Sequence, residues 1–497
     1  PSTSAGEPVA GGTLTWGVNT EPAAGGVDPM VGTGLANYFT MDQVYETLLT
    51  KDADGMIQPG LALSYEQPDD LTYVFTLREG VKFADGTDFT ADDVVYSFEQ
   101  YMASNISKKA YLIGLETITA DDPTTVTFSF SSPNGTFIDA VSHRETFFIV
   151  SEQWYSQASE EERQRTAMGT GPFELVDWTD GVSLTFDKNE NYWEEGRPYV
   201  DELVFEVITD ESTRLSALQQ GTIDAAWFAD GTIAGQAVDA GFTQGDLAYT
   251  QGLPIFINPE SGPLSDIRVR QAVSLALDRQ AIIDTVFFGD GEVSFVAPAG
   301  DPNAPVPDAD TPYYTRDVAA AKELLEEAGQ PHPTITINYF GEALQNQHPM
   351  YELMQQQLAE AGITLELNPM PTAEISQIFT TGASFTDLVS LPWSYRANPA
   401  FYYDPFLSDA GAMNHWKGNP DAEEAIALLA QAKTIPDLDE QSDVIAQLND
   451  IVTENVLALV PAALPQYYQV WNSDVVQGYT TDPYTSRYNL KYTWLAR

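Results

Sequence analysis

The chain has 497 residues, 73 acidic against 22 basic side chains, a formal charge of −51 and no cysteine. That charge repels polyphosphate and anionic lipid, which excludes general nucleic-acid binding and adsorption to an acidic bilayer; the missing thiol excludes disulfides, thiolate zinc sites and a cysteine nucleophile. With 43% hydrophobic and 11% aromatic residues the chain can bury the cores of two or three lobes, and it offers no run of about 20 apolar residues to span a membrane.

Residues 1–12 are small, polar and rich in Pro and Gly, the composition of a flexible tether. The start at Pro1 suggests that a signal peptide with a lipid-modified Cys was removed. Leu71 to Leu77 alternates apolar and polar residues and reads as a half-buried strand, with a short second strand at Val81–Phe83 between the turn signals Gly80 and Asp85-Gly86. Thr90-Ala-Asp-Asp93 has the spacing of a capping box, with Asp in place of Glu. It opens a helix whose apolar face carries Val94, Val95, Phe98 and Met102. Strand patterns recur at Thr124–Phe130, Val182–Phe186 and Leu203–Ile208. Asp266 to Phe288 reads as one long helix, and Asp317–Ala328 as a compact helix closed by Gly329. A strand at Thr334–Tyr339, a helix at Met350–Ala361 ended by Gly362, and a strand at Ile363–Leu367 follow. Asp421–Ala432 and Gln441–Val456 form a late helical pair. This mixture, without a short internal repeat, predicts an α/β protein with mixed sheets in more than one lobe.

No nucleophile elbow, zinc-protease helix, Walker loop or dinucleotide fingerprint occurs. Asp52-Ala-Asp54-Gly55 begins like a calcium loop, but position five is Met56 and no Glu closes it. The four His are scattered, and among 73 carboxylates no catalytic pair stands out. Neither a metal nor a cofactor is expected.

Leu77-Arg-Glu-Gly-Val-Lys-Phe-Ala-Asp-Gly86 continues as Thr-Asp-Phe-Thr-Ala-Asp-Asp-Val-Val-Tyr-Ser97. This segment resembles the signature of the extracellular solute-binding proteins of family 5, the dipeptide- and oligopeptide-binding receptors of ABC importers. Four further segments agree in order. They are Gly169-Thr-Gly-Pro-Phe173 with Trp178; Asn189-Glu-Asn-Tyr-Trp193 with Arg214 and Gln220-Gly-Thr-Ile-Asp224; Asp266-Ile-Arg-Val-Arg-Gln-Ala272 with Ala276-Leu-Asp-Arg279; and Ala321 to Gly329. Residue by residue these blocks read as structural: turns, caps, and Arg268 and Arg270 paired with carboxylates.

The resemblance implies a two-lobed, periplasmic-binding-protein-like clamp with an extra domain. Domain I would be 1–40, 170–258 and 468–497, domain II 41–169, and domain III 259–467. Hinge closure would bury a ligand between the lobes. It implies a monomeric extracytoplasmic receptor, lipid-anchored or periplasmic, that hands its solute to permease subunits and is not an enzyme.

By similarity to the family, Thr33, Gly34 and Leu35 lie on a cleft-lining strand. Trp227 and Phe228 lie near one lobe crossing, Phe256 at the second and Tyr467 at the return. Trp393, Ser394, Tyr395 and Arg396 form the ligand-facing stretch. Two residues depart from the peptide-binding pattern. Arg396 stands where an acidic residue pairs with a peptide's α-amino group, and Pro392 replaces a Gly and has no N–H to offer. The first expectation is therefore a peptide or peptide-like solute, the second an oligosaccharide or an opine-like anion. A secreted acidic glycosidase and a chaperone-like surface protein are the rivals from other classes.

Overall fold

The computed structural model describes residues 7–496 apart from 24, 53–54, 105, 144–145, 248, 302–303, 342–346, 393–395, 410, 466 and 482–489. The chain forms two compact units. Pro1–Leu247 joins Tyr467–Arg497 in the first, and Ala248–Gln466 is the second.

The first unit is built on a seven-stranded mixed sheet, in the order Thr243–Gln244, Tyr468–Trp471, Ala225–Phe228, Thr13–Val18, Glu202–Val207, Ser183–Lys188 and Phe173–Thr179. Thr13–Val18 runs parallel to both of its neighbours, and the outer pairings are antiparallel. Central strands covered on both faces read as apolar runs, and Ala225–Phe228 is buried at every position. Gly17 is required by a close approach: a Cβ there would lie 2.6 Å from Ile223 Cδ1 and 3.1 Å from the Arg214 side chain. Helix Glu211–Gln220 starts where Asp210 accepts the Thr213 N–H at 2.7 Å and stops at left-handed Gly221.

The same unit holds a four-stranded antiparallel sheet, in the order Ala62–Asp69, Thr72–Leu77, Thr125–Phe130, Leu115–Asp122. Its inner face carries Tyr73, Phe75, Leu77, Val126, Phe128 and Phe130, as alternation dictates. Helix Ala91–Ala103 covers that face, with Phe98 edge-on to Phe128 at 4.9 Å. The Asp93 carboxylate accepts the Thr90 N–H at 2.9 Å and the Glu152 N–H at 3.0 Å, so the cap also fastens the segment that follows the sheet. Val81–Phe83 makes only an isolated bridge, Lys82 to Asp88, rather than the expected strand.

The second unit has a five-stranded sheet, in the order Thr364–Met370, Thr334–Phe340, Leu388–Ser390, Ile255–Ile257, Ala458–Leu459. Thr334–Phe340 and Thr364–Met370 are parallel and joined through helix His348–Ala361, whose end is marked by Gly362 at φ +93°. A small ladder pairs Gln251–Gly252 with Ala463–Leu464. The expected single helix from Asp266 to Phe288 is two helices, Ile267–Ala276 and Arg279–Val286. Leu277 is extended, and the Asp278 carboxylate accepts the Ala281 N–H at 2.9 Å, so an N-cap restarts the helix two residues after it ends. Arg270 is fully buried. It pairs with Asp421 at 2.6 Å and donates to the Leu264 and Asn455 carbonyls at 3.0 and 3.1 Å. Arg268, in contrast, makes its pair with Asp266 at the surface, at 2.6 Å.

Candidate functional site

In the first unit the candidate ligand residues fall on two faces of one strand. Phe228 points into the cluster formed by Leu215, Leu218, Ile223, Tyr468 and Val470 and is fully buried, so its side chain packs the core. Trp227, one residue earlier, takes the opposite face. There its indole lies nearly parallel to the Tyr467 ring, with centroids 5.5 Å apart at 23°, and meets Phe39 at 4.0 Å. Arg214 holds this strand from behind: its Nε donates to the Trp227 carbonyl at 2.6 Å, and its guanidinium lies 5.3 Å from the Phe228 ring. Tyr467 is half-buried and bonds to the Asn19 side chain; burial pushes its hydroxyl above the usual range. Phe39, Trp227 and Tyr467 thus form an aromatic platform in which Phe39 and Trp227 are almost fully buried, at 2% exposure each, and half-buried Tyr467 is the member open to a stacking group.

Thr33, Gly34 and Leu35 do not lie on a strand. The Asp28 carbonyl accepts the Val31 and Gly32 N–H groups and reverses the chain, after which Gly34 is the N-cap of helix Leu35–Val44. Thr33 is exposed, and Gly34 and Leu35 are half-buried. The helix instead brings Phe39 to Trp227, a partner that sequence reasoning missed. The helix buries Asn37, Thr40 and Gln43 as well as apolar residues, so it carries no clean apolar stripe to announce it.

In the second unit Phe256 sits in the fully buried strand Ile255–Ile257, 5.1 Å from Phe406, and its side chain belongs to the core. Trp393, Ser394 and Tyr395 lie outside the described residues. Arg396, half-buried, donates its N–H to the Tyr402 hydroxyl at 2.9 Å. Its charge reaches Asp404. Burial raises that carboxyl, while Lys433, at 2.8 and 3.0 Å, and Arg396 pull it back down. Pro392 follows strand Leu388–Ser390 and is half-buried.

The blocks that carry the family resemblance have mechanical roles. A Cβ on Gly169 would lie 1.8 Å from the Val44 oxygen, and one on Gly171 2.7 Å from the Val44 carbonyl carbon. Gly-Thr-Gly is therefore where backbone meets backbone at the end of helix Leu35–Val44, and Thr170 between them donates to Glu46 at 3.0 Å.

The profile of the bacterial extracellular solute-binding proteins, family 5, matches residues 56–414. The chain belongs to that family. It is a substrate-binding protein of ABC-transporter type, with the mixed α/β fold of the periplasmic binding proteins. The heme-binding protein A of Haemophilus influenzae is 27% identical over 91% of this chain and 87% of its own length. The oligopeptide-binding protein AppA of Bacillus subtilis is 25% identical over 99% of this chain and 93% of its own. The crystal structure of the ABC transporter substrate-binding protein CtaP of Listeria monocytogenes superposes with a TM-score of 0.84 over 98% of this chain and 100% of its own, at 21% identity. Members of this family are extracytoplasmic binding proteins, and among the described residues no helix is long and apolar enough to cross a membrane.

Proposed function

We propose that this receptor captures a peptide or peptide-like solute outside the cell membrane, passes it unaltered to an ABC permease, and uses Phe39, Trp227 and Tyr467 as one wall of the binding site. The observation that carries the reading is the stacked Trp227–Tyr467 pair. Tyr467 is the residue at which the chain re-enters the first unit, and the family resemblance puts ligand contacts at both residues of the pair. Phe228 and Phe256 contribute through the backbone of their strands, since their side chains are core. A further division of the first unit near residues 40 and 170 into domains I and II is supported by its two larger sheets, one of seven strands and one of four.

A second reading is favoured by Arg396 and Pro392. An arginine cannot receive an ammonium group but grips a carboxylate in a forked hydrogen bond, and proline offers no N–H to a peptide backbone. An opine-like anion or an oligosaccharide fits those two residues better than a free-amine peptide.

Titration calorimetry against dipeptides, longer peptides, oligosaccharides and opine-like acids separates the two readings. The first expects saturable peptide binding that Trp227→Leu abolishes while Arg396→Ala leaves it within a few fold. Peptide binding that fails across the panel, together with an anion bound through Arg396, would replace the first reading with the second. Hydrolysis of a bound ligand over hours would overturn the receptor role in both.

A further inference from the structure

We infer that Asn19 is a specificity-determining residue of this receptor, whose side-chain amide reads one peptide unit of the solute. The inference rests on the peptide reading above and adds to it the group that tells a peptide bond from an ester. Asn19 follows directly on strand Thr13–Val18, at its carboxyl end. That strand lies between Glu202–Val207 and Ala225–Phe228 and is parallel to both. The next strands to join the sheet, between Phe173 and Val207, all lie on one side of it, whereas Ala225–Phe228 lies on the other and leads through helix Gly231–Asp239 to Thr243–Gln244, farther out on that side. The strand order thus reverses between Thr13–Val18 and Ala225–Phe228, and in open α/β sheets small molecules bind outside the carboxyl ends at such a reversal.

The second unit repeats this plan in register. Ala225, Ala226 and Trp227 pair with Trp471, Val470 and Gln469, as Leu388, Val389 and Ser390 pair with Ile257, Phe256 and Ile255. Asp224 and Asp387, each just before its strand, accept the Thr15 and Thr336 N–H groups at 2.9 Å. In that register the residues after Phe228 correspond to those after Leu391, the stretch that the family resemblance makes ligand-facing. The carboxyl end of Thr13–Val18 is therefore the same end of the repeated sheet.

The chemistry at this end is neutral. Asn19 is half-buried, and its amide N–H donates to the hydroxyl oxygen of Tyr467, the open ring of the platform. Asn19 Oδ1, the second amide N–H and the Tyr467 O–H make no further hydrogen bond among the described residues. The charged groups nearby are engaged. Arg214 pairs with Glu211 at 3.2 Å, and Glu211 also accepts the Ala229 and Asp230 N–H groups at 2.8 and 3.2 Å. Asp230 caps its own helix by accepting the Thr232 N–H at 2.7 Å, and Glu21 accepts the Trp178 indole N–H and the Gly181 N–H at 2.9 and 3.0 Å. What stays open is an acceptor beside donors, held in place by the bond to Tyr467. A peptide unit carries one N–H and one C=O and satisfies both kinds of group at once.

The test is titration calorimetry of the full chain with the tripeptide Ala-Tyr-Ala and with its two ester analogues, in each of which oxygen replaces one peptide N–H. One of the esters is expected to bind about tenfold more weakly than the amide, because Asn19 Oδ1 then meets a lone pair in place of a donor. Asn19→Leu and Asn19→Ala are expected to bring that ratio below about twofold, and Asn19→Asp, which keeps the acceptor, to retain it. The ratio compares two ligands on one variant, so a general loss of stability cancels, and two loss variants keep the test open if one of them fails to fold. Equal binding of the amide and both esters by the parent chain, or a ratio that survives in both loss variants, overturns the role of Asn19 and leaves the peptide reading standing. No binding of Ala-Tyr-Ala by the parent chain overturns the inference and, where no other peptide of the panel above binds, the peptide reading as well.

Discussion

Replacing Arg270 by Met tests how much one buried guanidinium contributes to the second unit. The substitution keeps the length of the stem and removes three bonds: the 2.6 Å pair with Asp421 and the donations to the Leu264 and Asn455 carbonyls. Removing one partner of a buried pair costs about 3–5 kcal/mol, because the other charge stays behind unpaired. Asp421 keeps 29% of its side-chain exposure, so water recovers part of its solvation and the lower end applies, about 3 kcal/mol. For a unit of this size that lowers the unfolding midpoint by about 6–12 °C. Arg268→Met is the internal control. It removes a pair of similar length whose arginine is 41% exposed, and such surface pairs contribute about 0–1 kcal/mol. The assay is urea and thermal unfolding of both variants alongside the parent chain. If Arg270→Met loses less than about 1 kcal/mol, or if the two variants lose the same amount, burial is not what distinguishes the two arginines and the reasoning fails.

Gly169→Ala should destabilise the first unit by more than about 2 kcal/mol, since the new methyl falls on the Val44 oxygen and neither backbone can yield cheaply; a midpoint unchanged in urea would contradict this. Burial raises the Glu46 carboxyl, opposed by Lys491 and by its three hydrogen-bond donors. A raised folded-state value contributes stability below the ordinary carboxylate range and loses it as pH rises through the raised value. The stability of Glu46→Gln relative to the parent should therefore be greater at pH 8 than at pH 5, and a pH-independent difference would refute the assignment. Asp93→Ala strands the Thr90 and Glu152 N–H groups and should cost about 1–2 kcal/mol, measured by urea unfolding. If the aromatic platform holds ligand, a bound solute should shift tryptophan emission in the parent chain and leave Trp227→Leu unshifted.

The sequence alone determined the pieces whose physics is local. The alternation through Tyr73, Phe75 and Leu77 could only be a half-buried strand, and Asp317 and Gly329 bracket their helix because a carboxylate satisfies first-turn N–H groups and glycine turns left-handed without cost. The ordered blocks also carried the family, because Gly169, Gly171 and Arg270 occupy positions that tolerate little else. Local signals misled where two short elements abut, as at Leu277; at Thr33–Leu35 it was the family resemblance that placed a strand, beside a helix whose buried polar residues leave no apolar stripe to announce it.

Only the tertiary structure decided which aromatic residues meet one another and which lie beneath helices. Trp227 and Phe228 are adjacent and equally hydrophobic. The pleat sends one to Phe39 and Tyr467 and the other beneath two helices, and that choice depends on strands paired from residues 13 and 468, more than 200 positions away. The same holds for Asn19 and Tyr467, which meet from opposite ends of the chain. Composition fixed the −51 charge and the missing thiol, and with them the expectation against polyphosphate and thiolate-metal partners. Where a scarce cation or a ring meets a ligand depends on register and crossing, which no run of neighbouring residues encodes.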